Sequence, residues 1–251
     1  IISTALTWTL VHSLWIALFV WLIVYAISNL TRSAAKRRLL KVSGIAFFSL
    51  SILSSFVYQL IPIKTGFKEI IKSGDSPLSG ENPILFFAEK LDSSVTLSSS
   101  IVSQIWLLGL LYGILRLAYK RWVLSKYKSS AVNCLGANVL ESFTRISQQL
   151  IVNRKVTVLV SSLINSPMTT GILKPIIYLP AGMISGFTSD ELDAIFIHEM
   201  THIKRHDYLV NMLLVSLETL FFFNPIIVLM AKDLRKEMEF ACDENVIRRH
   251  D

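Results

Sequence analysis

Residues 188–202 run Thr188-Ser189-Asp190-Glu191-Leu192-Asp193-Ala194-Ile195-Phe196-Ile197-His198-Glu199-Met200-Thr201-His202. The opening has the pattern of a capping box, with Thr188 as N-cap and Glu191 at the third helical position, so that each satisfies a free backbone N–H of the other. The helix it starts is expected to run to about His206. Ile195, Phe196 and Ile197 make that helix apolar enough to be buried or to lie beside a membrane. It carries an H-E-x-x-H motif. Residues four apart share a helix face, so His198 and His202 can bind one metal ion while Glu199 stands beside it. Two imidazoles and a carboxylate, with one position left open for water, suit zinc. Glu199 is then the candidate catalytic base, which accepts the proton of that water and passes it to a leaving amine.

A third ligand is required. His206 is near, but it lies only four residues past His202, and the longer His-rich spacing of metzincins is absent; it is read as a surface residue or one that supports a ligand from behind. The better candidate lies in Glu237-Met238-Glu239-Phe240-Ala241-Cys242-Asp243. Glu239 and Asp243 share one helix face, so Glu239 is expected to bind zinc and Asp243 to orient a histidine ligand from behind it. Glu237 is two residues off that face and is expected to be solvated. Cys242 is read as a buried small residue rather than a thiolate ligand.

This ligand set constrains the chain between its parts. Tyr208 to Ala231 is an apolar run broken only by Glu218, and taken alone it reads as a membrane span. His202 and Glu239 are 37 positions apart, which one straight helix would turn into about 55 Å. The chain must therefore fold back, and Asn224-Pro225 is the place, because proline removes a donor and disfavours helix at the residue before it. A helical hairpin is expected, Asp207–Phe223 and Pro225–Arg249, dipping into the membrane or packed on spanning helices. Glu218 should face protein or water, since a charge in lipid is costly.

Upstream, the chain reads as a membrane protein. Of its 251 residues, 52% are hydrophobic and only 17% charged, against about a quarter charged in ordinary soluble domains. Two cysteines, Cys134 and Cys242, exclude a disulfide framework or a Cys-rich metal site. Three spanning helices are expected near 5–28, 42–62 and 98–118, each long enough for the roughly 20 apolar residues a bilayer requires. The first lacks a basic leader and a small-residue cleavage site, which argues against a removed signal peptide. Arg32, Lys36, Arg37, Arg38 and Lys41 crowd the first loop without an acid, and Lys120, Arg121, Lys126 and Lys128 follow the third helix. Both regions should face the cytoplasm, which accounts for a net charge of +7 without nucleic acid. The loop 63–97 mixes both signs with Gly and Pro and reads as external. The N-terminus is then outside. Trp8, Trp15 and Trp106 are read as interfacial or packing aromatics, and His12 as a hydrogen-bonded packing residue. The chain begins at Ile1 rather than Met and is expected to be a piece of a longer protein.

Between the third helix and the motif the pattern is mixed. Asn138 to Ile151 has helical spacing of Val139, Leu140, Phe143, Ile146 and Leu150. Lys155–Val160 reads as a strand, and Met168–Thr170 and Pro175–Leu179 as two more extended pieces around Gly171. Pro167, Pro175 and Pro180 mark an edge rather than a central strand. Such an edge either accepts a peptide as an added strand or is a plain structural hairpin.

Several stretches together resemble one family. These are Trp8-Thr9-Leu10-Val11-His12-Ser13-Leu14-Trp15, Thr170-Gly171-Ile172-Leu173-Lys174-Pro175, the H-E-M-T-H followed by Lys204-Arg205-His206-Asp207, Phe223-Asn224-Pro225, and the Glu239-Phe240-Ala241-Cys242-Asp243 segment. The family is the integral-membrane zinc metallopeptidases of the BlaR/MecR-type beta-lactam sensor-transducers, and the likeness covers nearly the whole chain. The pairing of H-E-x-x-H with E-x-x-x-D is also similar to CAAX-protease and HtpX-type membrane metallopeptidases. The resemblance implies a mainly α, integral-membrane fold: a transmembrane region over 1–119, then a cytoplasmic α+β gluzincin-like peptidase domain over 120–251 that includes the membrane-associated hairpin 207–249. It implies His198, His202 and Glu239 as zinc ligands and Glu199 as catalytic base. It also implies signalling, in which an external signal activates the protease and leads to self-cleavage and loss of a transcriptional repressor.

The expected function is a membrane-embedded zinc endopeptidase of a bacterial cytoplasmic membrane, active on the cytoplasmic side, in signal transduction by regulated proteolysis. Alternatives are membrane-protein quality control of the HtpX type, or a non-catalytic transducing scaffold with structural zinc. Expected partners are the lipid bilayer and a protein substrate, with a cytoplasmic repressor and a homo-oligomeric assembly as candidates and no direct nucleic-acid contact. A plain transporter is not expected, since three spans offer no paired repeats.

Overall fold

The structure is a computed structural model that describes residues 2–60, 83–132, 136–152, 154–183 and 186–250. Its elements run α1 (Ile2–Asn29), α2 (Ala34–Leu60), α3 (Pro83–Ser130), α4 (Ala137–Leu150), β1 (Thr157–Ser161), β2 (Met168–Thr170), β3 (Ile176–Pro180), α5 (Ser189–Lys204), α6 (Asp207–Leu220) and α7 (Pro225–His250), with a 3-10 turn at Ala181–Met183. The fold is mostly helical with one small sheet. Three stretches, Ile2–Asn29, Ala34–Leu60 and Leu97–Ser130, are long and apolar enough to cross a membrane.

The third helix corrects the expected boundaries. It begins at Pro83, inside the region read as the external loop 63–97, and runs to Ser130 rather than ending near 118. Proline suits a first helical turn, where its missing N–H is not needed, and the charged residues that suggested a loop are ordinary helix formers. Residues 63–82 of the expected loop, the last two residues of the expected second helix, and Cys134 lie outside the described residues.

Two apolar cores organise the chain. In the first, Leu10, Ala17 and Val20 of α1 meet Ile45, Phe48 and Ile52 of α2, and Leu214, Leu217, Ile227, Met230 and Leu234 of the α6–α7 hairpin. The hairpin therefore seats against the spanning helices. It turns where proline required, with α6 ending at Leu220 and α7 starting at Pro225. Asn224 is fully buried in the turn. Its Oδ1 accepts from the Ile226 N–H at 3.1 Å, the bond of a helix N-cap, and its Nδ2 donates to the Ser13 carbonyl of α1 at 3.0 Å. One side chain thus ends the turn and anchors it. Trp106 of α3 donates to the Leu220 carbonyl at 2.9 Å. Glu218 faces protein: Arg235 of α7 grips both its oxygens at 2.8 and 2.7 Å and reaches Asn211 at 2.9 Å. In α1, His12 Nδ1 accepts from Trp15 at 2.9 Å, the packing arrangement expected of it.

The second core joins Val139, Ile146 and Leu150 of α4 to Val158, Ile177 and Leu179 of the sheet and to Leu192, Phe196, Ile197, Met200 and Ile203 of α5. The sheet order is β1-β3-β2, with β1 parallel and β2 antiparallel to β3. The strand bracketed by Pro175 and Pro180 is thus central, against the edge reading. Pro180 is the last paired residue, and Pro175 lies just before the strand, where its carbonyl still accepts from the Thr157 N–H at 3.1 Å. No donor is missing inside the ladder. The edge belongs to β2. Gly171, at the turn out of β2, has φ +96°, and a Cβ there would meet the Lys174 carbonyl oxygen at 2.5 Å; only glycine fits.

Glu237 is a further correction. It was expected in solvent and is buried. Arg37 bonds it at 3.0 Å and Lys41 at 3.1 Å; both were expected in the first loop, but α2 begins at Ala34 rather than near 42, so part of that charge lies on the helix and is paired inside the fold. The residue lies off the Glu239 face, but that second face is covered by α2 rather than by water.

Two stability outcomes follow from these contacts. Asn224→Ala should cost about 1–3 kcal/mol, because it removes a cap and a buried hydrogen bond together, seen as a lowered thermal midpoint in detergent micelles; Asn224→Asp, which keeps the cap, should fall between. Glu237→Ala leaves two cations facing each other and should cost about 2–4 kcal/mol. Glu244→Ala, which breaks only the surface pair with Arg248, should cost less than about 1 kcal/mol. Equal shifts for the two glutamates would contradict the buried role of Glu237.

Candidate metal centre

Helix α5 is placed by its two ends and one face. Its capping box forms as the sequence indicates: the Glu191 N–H donates to Thr188 Oγ1 at 3.3 Å, and the Thr188 N–H to Glu191 Oε2 at 2.8 Å. Leu192, Phe196 and Met200 bury one face in the second core. His198 and His202 share another face, and Glu199 lies between the two faces, itself buried. Helix α7 crosses the face of the histidines, tied to α5 by Asn245, which donates to Thr201 Oγ1 at 2.8 Å.

The crossing brings Glu239 to the two histidines. The Nε2 atoms of His198 and His202 are 3.2 Å apart. Glu239 Oε2 lies 3.4 Å from the first and Oε1 3.7 Å from the second. One donor atom from each of the three residues lies within 4.8 Å of the others, a spacing that one small cation would satisfy. Behind each ring stands a carboxylate. Asp243 Oδ1 is 3.0 Å from His198 Nδ1, and Asp207 Oδ2 is 2.8 Å from His202 Nδ1. Each imidazole is therefore held with its Nε2 turned to the common centre, the arrangement that ligating histidines require. The donor set fits zinc by chemistry as well as spacing: two nitrogens and one carboxylate oxygen.

Asp207 was not foreseen. In the sequence it is the first residue of a helix, where an acid is ordinary; it stands in one of the stretches that carry the family resemblance, but its spacing from the histidines indicated no role. The fold buries it to 2% exposure between His202 and Arg38 of α2. A second trio, His202, Asp207 and Cys242, is also close enough to share an ion. It would use the His202 nitrogen already occupied by Asp207. Cys242 is moreover a poor thiolate, since burial pushes its thiol up. Its Sγ sits 3.5 Å from His202 Nδ1, and burial as a small residue accounts for its place.

The charges are strongly coupled. The hydrogen bond with Glu239 raises His198 above the ordinary imidazole range, against its burial. Burial also works against a charged His202, yet hydrogen bonds to Asp207, Cys242 and Glu239 outweigh it and push that ring up to about 12. The same bonds hold Glu239 well below the usual carboxylate range.

Glu199 is buried beside this centre. Its Oε2 accepts from Thr169 Oγ1 of β2 at 2.6 Å. A cleft of about 390 Å³ opens there, walled by Met168 and Thr169 of β2 on one side and by His198, Glu199, His202 and Glu239 on the other. β2 is paired only to β3; among the described residues no strand covers its other edge. His206 also lines the cleft but belongs to neither donor trio. It takes a left-handed φ of 58° at the α5–α6 corner and contacts Arg154.

Comparison with known proteins agrees with this picture. Regulatory protein BlaR1 of Bacillus licheniformis is 32% identical over 156 residues, which is 62% of this chain and 26% of that protein. The methicillin resistance mecR1 proteins of Staphylococcus aureus and Staphylococcus epidermidis are each 31% identical over 102 residues, 41% of this chain and 17% of theirs. The chain thus spans about a quarter or less of the curated relatives it matches. The model of the BlaR1 peptidase M56 family matches residues 4–251, and with that extent of agreement the chain belongs to the BlaR1 peptidase M56 family.

Proposed function

We propose that the chain is the peptidase core of a membrane-embedded zinc endopeptidase, acting from the cytoplasmic side of a bacterial inner membrane in signalling by regulated proteolysis. The observation that carries this reading is the convergence of His198, His202 and Glu239 beside a buried Glu199, at the mouth of a cleft bordered by an open strand edge. The cytoplasmic side is supported by the acid-free basic stretch from Arg32 to Lys41, across the start of α2, and by the basic run after Lys120, by the charge bias of membrane proteins. The signalling role is supported by the relative named a regulatory protein; its partner would be a cytoplasmic repressor or the chain itself.

His198, His202 and Glu239 would hold the zinc, which supplies a Lewis acid for activating water and polarising a peptide carbonyl. The chain's own residues do the rest. Thr169 donates to Glu199 Oε2, and Oε1 has no hydrogen-bond partner among the described residues. That oxygen takes the proton of a water in the cleft and delivers it to the amine of the departing peptide. A substrate laid along the free edge of β2 would hydrogen-bond as an added strand, which brings its backbone past Glu199. Asp243 and Asp207 keep the two rings from turning.

Two measurements test the reading. Purified protein in micelles should bind about one zinc per chain, and Glu199→Gln should bind it equally well. New protein N-termini formed in cells by the wild type should vanish with Glu199→Gln. A few regulators, or a cut in the chain itself, indicate signalling; many membrane proteins indicate quality control; identical profiles under the activating signal, with zinc bound, indicate a scaffold. The second measurement is zinc affinity against pH. Zinc must displace the proton held between the two Nε2 atoms, which lie at hydrogen-bond distance of each other. Because both histidines are raised, protons compete to higher pH than for a free imidazole. Apparent affinity should keep rising between about pH 7 and 9 instead of levelling off just above the ordinary histidine value of about 6.5.

A further inference from the structure

The basic turn at the start of α2 reaches the metal centre by a single side chain. Arg38 Nη2 donates to Asp207 Oδ1 and to the Arg205 carbonyl at 3.0 Å, the residue that caps the end of α5. Asp207 spends its other oxygen on His202 Nδ1 at 2.8 Å, and His202 Nε2 faces His198 and Glu239. The order is unbroken: guanidinium, carboxylate, imidazole, ligand atom. Asp207 is 2% exposed, so water cannot replace a lost partner there at little cost. An aspartate at the first residue of a helix would otherwise have several rotamers open to it. Held by Arg38 on one oxygen, it presents the other to the ring.

We propose that Arg38 is a positioning residue of the metal centre, acting through Asp207 to fix the ring of His202 and so tying the ligand set to the second membrane-spanning helix. The proposal rests on the zinc site assigned above. It extends that site by a residue from a different part of the chain, 164 positions before His202. It also distinguishes Arg38 from its neighbours. Arg37 and Lys41, on the same helix, bind Glu237, which anchors α7 without touching a ligand ring. A shift of α2 relative to α5 is therefore felt at His202 through one carboxylate.

The test is zinc affinity of the full chain in micelles, read by competition with a chromophoric chelator and by the visible absorption of the cobalt-substituted protein. Arg38→Met should weaken zinc binding roughly tenfold and alter the cobalt spectrum, the scale at which residues behind a ligand act. Asp207→Asn should weaken it at least as much. The double variant Arg38→Met/Asp207→Asn should be within about twofold of Asp207→Asn alone, because residues acting in series are not additive. Arg38→Lys, which keeps the charge with a single donor group, should recover part of the loss and serves where the methionine variant does not fold. Arg145→Met, which breaks the surface pair with Asp193 at the other end of α5, should leave zinc affinity unchanged. Wild-type affinity in both Arg38 variants, or losses that multiply in the double variant, overturns the proposal while leaving the zinc site intact. A wild-type protein that binds no zinc overturns the site itself and this role with it.

Discussion

A carboxylate on one helix must meet two imidazoles on another, although 37 positions of chain separate Glu239 from His202. Most of the molecule serves that meeting. The chain has to reverse, and it does so at a proline preceded by a buried asparagine that both caps the new helix and bonds the first membrane helix. The two arms of the reversal then have to stay together in an apolar setting. Arg235 holds them by bonding Glu218 and Asn211, and the Asn245–Thr201 bond registers the second arm on the motif helix. An isolated charge in such surroundings costs several kcal/mol, and Glu218 is paired with Arg235 as Glu237 is with Arg37 and Lys41.

The base of α2 plays a double part. Its basic residues are of the kind that set topology in membrane proteins, yet Arg37, Arg38 and Lys41 point inward to Glu237 and Asp207. The membrane-spanning and cleft-forming parts are thus joined by ion pairs as well as by the apolar contacts of α1 and α2 with the hairpin. The second core, of α4, the sheet and α5, carries the open edge of β2 and presents Thr169 to Glu199. Sheet, motif helix and hairpin each supply residues to one cleft, while α2 braces it from behind through Asp207 and Glu237.

Much of this was legible from local rules. H-E-x-x-H within a capped helix places two ring nitrogens on one face, because helical spacing does not depend on context. The apolar runs identify the spanning helices, because bilayer thickness sets their length. The reversal at Asn224-Pro225 follows from proline's missing donor and from the distance a straight helix would impose. Reading failed where an identical local signal has two tertiary outcomes. Pro175 and Pro180 suggested an edge strand, yet they bracket a central one, since prolines at strand ends remove no ladder bond. Charges and glycines between the second and third helices suggested a loop down to 97, but the helix begins at Pro83.

The sequence by itself determined the apolar spans, the motif helix with its cap, the place of the reversal and the residue types able to bind zinc. All of these depend on spacing within a few turns of backbone. The tertiary structure alone decided which acids serve the histidines and which are covered. Asp207 and Glu237 look like ordinary helix-surface acids in the sequence. They are buried because α2, about 170–200 positions earlier in the chain, lays Arg38, Arg37 and Lys41 against them and so supplies the charges that make burial affordable. Contacts between residues so far apart leave no periodicity in the chain, and only the folded arrangement of helices reveals them.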